Sequence, residues 1–527
     1  MNRAANIKAL QLADQIWDIC IIGGGATGLG SAVDAASRGL KTILVEQHDF
    51  AKGTSSRSTK LVHGGVRYLQ QGNIKLVMEA LHERGILKKN APHLVKNQSF
   101  LVPNYKWWEG PFYGIGLKVY DWMSGRLGLG PSEMLSREDT LAQAPTLEAE
   151  GLRGSVLYRD GQFDDARLAV SLAQTATDQG ALVLNYTRVT GLLKEEEKIC
   201  GVRLKDMLSE GDYQIRAKVV LNATGVFSDR LLQMDDPGAE SIIAPSQGVH
   251  IVLDPSFLPG QSAIMVPHTD DGRVLFAVPW HHRIIIGTTD TPLQPVDDAS
   301  LLEPVPMGEE IDFILGQIGK YLTKVPERKD ILSVFAGLRP LVKGSSKKTA
   351  ELSRDHLVAL SASGLLTVTG GKWTTYRRMA EDAINTAVHR FGLQAGPCVT
   401  AELSIHGARE DTDFDTPLYY YGSDKPALEA MIREEAELGE LLHPSLPYLK
   451  AEILWAVRRE MCMTVEDALA RRTRALLLDA RASMEAAPAV ASLMAREMNQ
   501  DKSWETGQVE TYLRTARHYL PTLLSTP

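Results

Sequence analysis

WDICIIGGGATGLGSAVDAASRGLKTILVEQ, residues 17–47, decides the fold. An apolar run ends in glycines, small residues at helical spacing follow, and a second apolar run ends at Glu46. Strand, helix and strand in about thirty residues is the size of one βαβ unit. Gly23, Gly25 and Gly28 satisfy GxGxxG at the strand-to-helix turn. The first glycine permits the tight turn, the second lets a pyrophosphate approach the backbone, and the third lets helix and strand pack closely. The helix N-terminus adds unsatisfied N–H groups and a positive dipole end. Glu46 follows Gly28 at about the 20-residue distance where an acid binds ribose hydroxyls. Dinucleotide binding is the reading; a merely structural glycine turn is the bland alternative.

Outward from this unit, strand-like runs recur at Ala181–Leu184, Lys218–Asn222, Arg283–Gly287 and Leu365–Thr369. Strands mixed with helices indicate an α/β architecture. The character changes near residue 400, and from Ala427 onward Ala, Leu, Glu and Arg dominate, with apolar residues at helical spacing. Within residues 451–480, AEILWAVRREMCMTVEDALARRTRALLLDA, Thr464 followed by Glu466 and Asp467 reads as a helix start.

NAD and FAD are separated by two distant segments. VVLNATG (Val219–Gly225) is a strand closing on small residues. GLLTVTGGKWTTYR (Gly364–Arg377) is a strand, then Gly370-Gly371, then a helix start. A second glycine-marked helix N-terminus suits the flavin end of FAD, where negative charge gathers on reduction. The expected fold is a Rossmann-like FAD-binding domain interleaved with a β-sheet-containing substrate cap over residues 14–400. An all-helical C-terminal domain follows over residues 405–520.

The bulk composition agrees. A chain of 527 residues, 44% apolar and 23% charged, has room for two to four units. A net charge of −8 argues against nucleic-acid binding, which needs clustered positive charge. Cys20, Cys200, Cys398 and Cys462 are scattered, with neither CxxC nor metal-ligand spacing, so no metal and no disulfide framework are expected. The stretch MNRAANIKALQLADQIWD lacks the features of a signal peptide, and no window has the 18 apolar residues of a spanning helix. Any membrane contact is therefore expected at the surface.

Specific motifs sharpen this. FAKGTSSRSTKLVHGGVRYL (residues 50–69), PWHHRIIIGTTD (279–290), GLRPL (337–341), SRDH (353–356), GGKWTTYR (370–377) and VRREMCMTVEDALARRTR (457–474) together resemble the FAD-dependent glycerol-3-phosphate dehydrogenases. The likeness runs from about residue 14 to 515. No calcium-binding hands follow, as in the shorter bacterial-type members. The resemblance implies oxidation of sn-glycerol 3-phosphate to dihydroxyacetone phosphate, with electrons passing to a membrane quinone. It also implies a peripheral place on the bilayer surface, at the cytoplasmic face of the inner membrane. Whether two copies pair as a homodimer stays open.

The same resemblance implies FAD contacts from Gly23, Gly25, Gly28, Glu46, Ser55, Ser56, Thr59, Lys60, Val189, Ala223, Gly225, Gly371, Lys372 and Thr374. It brings Arg67, Tyr68, Arg339, Arg354 and Lys372 to the substrate. Chemistry supports that set, because a phosphomonoester with close to two negative charges needs several cations, at least one with a forked donor. Arg339 and Lys372 are also catalytic candidates. Loss of the hydroxyl proton suits a histidine base, and His63 (LVHGG) and His250 (QGVH) are the candidates. The family pattern at His250 usually reads KGSH; the departure at Gln247 and Val249 leaves His63 slightly ahead. His281 and His282 are expected to line a strand turn without chemistry.

Tyr105–Tyr113 and the following GIGLKVYDWMSGRLGLG concentrate aromatics with scattered Lys and Arg. They suit a lipid headgroup interface or, more ordinarily, a buried helix roofing the substrate pocket. Lys347-Lys348 reads as a solvated loop. Two rivals remain: a flavoprotein acting on an amino acid or 2-hydroxy acid, which needs only one Arg clamp, and a non-catalytic flavoprotein whose tail recruits partners.

Overall fold

The strand Ile16–Ile22 pairs in parallel with Thr42–Val45 on one side and with Asp212–Asn222 on the other. In the computed structural model, which describes residues 1–10, 15–66, 73–293, 297–343 and 356–521, these three strands centre an eight-stranded sheet. Its order is His356–Leu360, Leu365–Gly370, Asp212–Asn222, Ile16–Ile22, Thr42–Val45, Leu182–Leu184. Lys198–Asp206 and Thr187–Glu195 extend it in antiparallel fashion from Asp212–Asn222. The chain leaves the first strand toward one neighbour and returns later on the other side. That reversal opens a crevice at the carboxyl ends of the strands, where doubly wound sheets bind ligands. Helices Ala26–Ser37, Asp165–Asp178 and Tyr376–Phe391 cover one face over Ile19, Ile21, Leu44 and Leu221.

A second, ten-stranded sheet stands at the crevice. Its longest strand pair is Ile243–Leu253 against Ile331–Val342, with Arg283–Gly287 on the other edge of Ile243–Leu253. Leu275–Trp280 and Arg283–Gly287 form a hairpin whose two turn residues, His281 and His282, have φ of 45° and 58°. Positive φ at both positions matches the strand twist, so these histidines are turn residues as expected.

The C-terminal region is helical: Lys425–Glu434, Lys450–Arg459, Ala480–Met498 and Lys502–Ala516. The helical pattern of residues 451–480 is nonetheless broken. After Arg459 the chain turns through Met461 (φ 52°), then forms a short wide helix at Asp467–Arg472 and one turn at Ala475–Leu478. The expected start at Thr464 holds: Asp467 N–H donates to Thr464 Oγ1 (3.1 Å), while Met463 and Thr464 N–H donate to the Asp467 carboxylate. Val252, Trp280, Ile285 and Phe335 of the second sheet share one core with Tyr421, Trp455, Leu476 and Val490. Among the described residues no helix is long and apolar enough to cross a membrane.

Candidate active site

A cavity of about 640 Å³ runs from the first glycine turn, past Glu46, Val189, Ala223 and Gly225, to Thr59, His63, His250, Arg339, Gly371, Lys372 and Thr374. The glycines explain its near end. Gly23 has φ +113°, and a Cβ there would lie 2.5 Å from the Ala223 carbonyl oxygen. At Gly28 it would lie 1.9 Å from Gly23 O, so the helix Ala26–Ser37 lies on the turn only because both residues lack side chains. Gly25 caps that helix without a side-chain hydrogen bond, and Ala26 N–H donates to Ser55 Oγ (3.0 Å). The helix N-terminus thus faces the cavity as an anion site. Glu46 accepts Gly24 N–H on one oxygen (2.7 Å) and His48 N–H on the other (2.8 Å); each oxygen keeps a lone pair for a ribose hydroxyl. Burial holds its carboxyl above the usual range.

At the far end Gly370 and Gly371 have φ of 83° and 70°, and the chain then opens the helix Tyr376–Phe391. A Cβ on Gly371 would sit 2.4 Å from Met379 Sδ. Two glycine-turned helix starts facing one elongated cavity fit a ligand with a pyrophosphate in its middle and a ring that gains negative charge at one end. FAD has that shape and chemistry.

The substrate half is built on Ile243–Leu253. Side chains alternate along a strand, so Gly248 and His250 face the cavity while Gln247 and Val249 face away. Gln247 Nε2 donates to Glu310 Oε2 (2.8 Å), and Val249 lies in the core. The departures from the family pattern therefore fall on the opposite face of the strand from His250. A Cβ at Gly248 would meet Arg339 Nη2 at 2.5 Å and Thr288 Oγ1 at 2.6 Å, so the glycine makes room for the guanidinium. Arg339 donates to Thr289 O (2.9 Å), Gln247 O (3.2 Å) and Thr288 Oγ1 (3.2 Å), and pairs with Asp290 at 3.3 Å. Among the described residues, these partners aim its fork.

His250 stacks on Phe335 (4.8 Å, 13°) and shares a hydrogen bond of 2.9 Å between Nε2 and Thr59 Oγ1. A Cβ on Gly287 would come within 2.3 Å of the ring, so this glycine lets it lie across the neighbouring strand. Nδ1 is buried with no hydrogen-bond partner among the described residues. Burial, then the Lys60 and Arg339 charges, hold the ring well below its usual pKa. His63 reaches the cavity from the other side. Its N–H donates to Thr374 Oγ1 (3.3 Å), and its ring meets the edge of Phe276. The next residue, Gly64, donates to Tyr120 OH (2.7 Å), which donates to Asp160 (2.6 Å), itself paired with Arg84.

Two residues expected on the cofactor do not line the cavity. Lys60, with φ 64°, is fully buried and donates to Ser56 O (2.8 Å) and Asp165 Oδ2 (2.7 Å). The Ser56 side chain is buried beside it. Arg67, Tyr68, Arg354, Lys347 and Lys348 lie outside the described residues. Cys20 is packed in an apolar cluster, its thiol pushed up to about 12 by burial, away from the cavity. The sequence reading missed Gly248, Gly287 and Asp290. Glycines inside two strands that pair side by side were the available signal, since they mark close approach.

The chain matches the FAD dependent oxidoreductase family over residues 18–377 and the C-terminal domain of alpha-glycerophosphate oxidase over residues 366–505. It is 41% identical to the mitochondrial glycerol-3-phosphate dehydrogenase of Bos taurus, over 98% of this chain and 75% of the relative. The Schizosaccharomyces pombe protein is 39% identical over 96% and 87%. The structure of glycerol-3-phosphate dehydrogenase from Bacillus halodurans, complexed with FAD, superposes with a TM-score of 0.77 at 28% identity, covering both chains completely. L-alpha-Glycerophosphate Oxidase from Mycoplasma pneumoniae shares the fold at 17% identity and a TM-score of 0.57. With the glycine-turned FAD cavity and a helical tail that match along almost the whole length, the chain belongs to the FAD-dependent glycerol-3-phosphate dehydrogenases.

Proposed function

We propose that the protein oxidises sn-glycerol 3-phosphate to dihydroxyacetone phosphate and passes the electrons to a membrane quinone. The observation that carries the substrate is Arg339, a forked cation held in orientation on a cavity wall shared with Lys372, His63 and His250. A planar fork matches two phosphate oxygens, and Lys372 supplies a second charge. Arg67, Tyr68 and Arg354 complete the proposed set. Bound FAD supplies the hydride acceptor. The chain's part is to hold the substrate carbon toward that acceptor and to take the hydroxyl proton. His250 suits the proton because its environment keeps it neutral. Its Nε2 shares a hydrogen bond with Thr59 Oγ1, and Thr59 also lines the cavity. His63 is the second base to be tested.

The acceptor reading is supported by the helix Glu109–Ser124. Its inner residues Tyr113 and Leu117 are buried in a cluster with Leu61, Tyr158 and Met265, which line the cavity. Its outer face exposes Phe112, Ile115, Val119 and Trp122 (83% exposed), beside Trp107 (77%), with Lys106 and Lys118 among them. Aromatics with lysines suit an anionic bilayer surface, here on the cytoplasmic face of the inner membrane. A lipid-soluble acceptor would arrive one side-chain layer from the site.

Anaerobic titration tests the substrate class. Glycerol 3-phosphate should bleach the yellow protein, whereas proline, glycine and lactate should not. Arg339→Ala should then lower turnover of glycerol 3-phosphate far more than any trace activity on glycerol, which has no phosphate to lose. Equal losses on both would remove Arg339 from the phosphate site.

A further inference from the structure

Four charged side chains lie buried directly behind the segment that walls the cavity. Asp165 Oδ2 accepts from Ser58 N–H (3.0 Å), Ser58 Oγ (2.7 Å) and Lys60 Nζ (2.7 Å), and its Oδ1 accepts from Arg474 Nη2 (2.9 Å). Arg474 Nη2 also donates to Ser56 O (2.8 Å), the carbonyl that Lys60 holds. Asp164 sits 3.6 Å from Arg474 Nε. Arg474 comes from the C-terminal helical region, in the left-handed conformation (φ 69°) that turns its side chain inward, and is 1% exposed.

The segment this cluster holds is the one the cofactor needs. Ser55 takes Ala26 N–H at the phosphate-facing helix start, Ser58 and Thr59 line the cavity, and Thr59 touches His250. Lys60 Nζ also lies 5.2 Å from the centre of the Phe335 ring on which His250 stacks. Such a cluster is costly to bury and is strongly destabilised if one charge is deleted, since a buried countercharge stays behind uncompensated. Simple attachment of the tail does not require it: Asp49 with Arg471 and Arg472, and Arg167 with Glu460, already join the two regions without touching residues 55–60.

We propose that Arg474 is a positioning residue: through Asp165, Lys60 and the Ser56 carbonyl, the C-terminal region fixes the backbone of residues 55–60 against the flavin and His250. This rests on the assignment of FAD to the cavity, and it gives the helical tail a part in the chemistry rather than in stability alone.

The test uses the full-length flavoprotein and compares Arg474→Met, Arg474→Lys and Asn185→Ala. Asn185 is a control of similar burial, joining the two regions through Met461 O (2.8 Å) without touching residues 55–60. All three should lower the thermal midpoint. Arg474→Met, unlike Asn185→Ala, should also change the flavin's visible fine structure and midpoint potential, and lower kcat by about tenfold or more, the scale of one lost charge-assisted hydrogen bond. Arg474→Lys keeps the charge but not the fork and should fall between. If Arg474→Met is not recovered folded, Arg474→Lys decides. Unchanged spectrum, potential and kcat in folded Arg474 variants, or equal flavin changes in Asn185→Ala, would overturn the proposal. Full loss of FAD from the wild-type chain would instead defeat the cofactor placement beneath it.

Discussion

At the scale of single residues, the site depends as much on missing side chains as on present ones. Gly248→Ala adds one methyl 2.5 Å from the Arg339 guanidinium, and no rotation of an alanine relieves that. The fork must shift, so kcat/KM for glycerol 3-phosphate should fall roughly 10- to 150-fold, the value of one charge-assisted hydrogen bond, while flavin content stays normal. Steady-state kinetics beside the flavin absorbance of the same preparation checks this. His250 makes a second expectation. Its ring is held below 6.5 by burial and by the Lys60 and Arg339 charges, so it stays neutral as pH falls through 6.5. An acid limb of kcat/KM belonging to His250 should therefore lie below pH 6.5. Lys60→Gln removes one of the two opposing charges, raises the ring's pKa and should move that limb upward. A limb that ignores Lys60→Gln but vanishes in His63→Asn would make His63 the base.

Secondary structure elements explain what the sequence made legible. The glycine turn, both parallel strands beside it and the second glycine-marked helix start were readable because each is local: a few residues set the backbone, and the pattern repeats in any such fold. The departure at Gln247 is legible only at the scale of the element. Strand alternation places 247 and 249 opposite 248 and 250, and once Ile243–Leu253 is known to be one strand the departure from KGSH loses its force. Lys60 misled for the opposite reason. Its positive φ turns the side chain backward, and nothing in the run SSRSTK announces that. The aromatic stretch forms one helix with a buried face, Tyr113 and Leu117, and an outer face of exposed rings. Trp107→Ser with Trp122→Ser should thus leave dye-linked activity and folding intact while cutting vesicle binding by tenfold or more, given about 25 cal/mol for each Å² of apolar surface kept in water. Flotation with phosphatidylglycerol vesicles measures it. Unchanged flotation would return the outer face to mere solvent exposure.

Considered as a whole molecule, the C-terminal helices are not an appendage. They share a core with Trp280, Ile285 and Phe335, and their arginines neutralise Asp49 and Asp165 in the nucleotide half. Sequence composition revealed the helices but not these contacts, whose partners are separated by more than three hundred residues. Removing residues 405–527 should accordingly yield no soluble flavoprotein, because it bares that core and strands the buried Asp49 without Arg471 and Arg472; breaking a buried pair alone costs about 3–5 kcal/mol. Soluble yield and bound flavin are the readouts. A stable yellow fragment would show that residues 14–400 fold alone.

The exposed rings of Glu109–Ser124 also bear on how the protein behaves in a tube. Monomers seldom show contiguous apolar patches of this kind, and in plain buffer such faces find one another. Sedimentation without detergent should therefore give a mass that climbs with concentration. A mild surfactant, or serine at Trp107 and Trp122, should leave only the true stoichiometry, and only then does a dimer peak say anything about subunits.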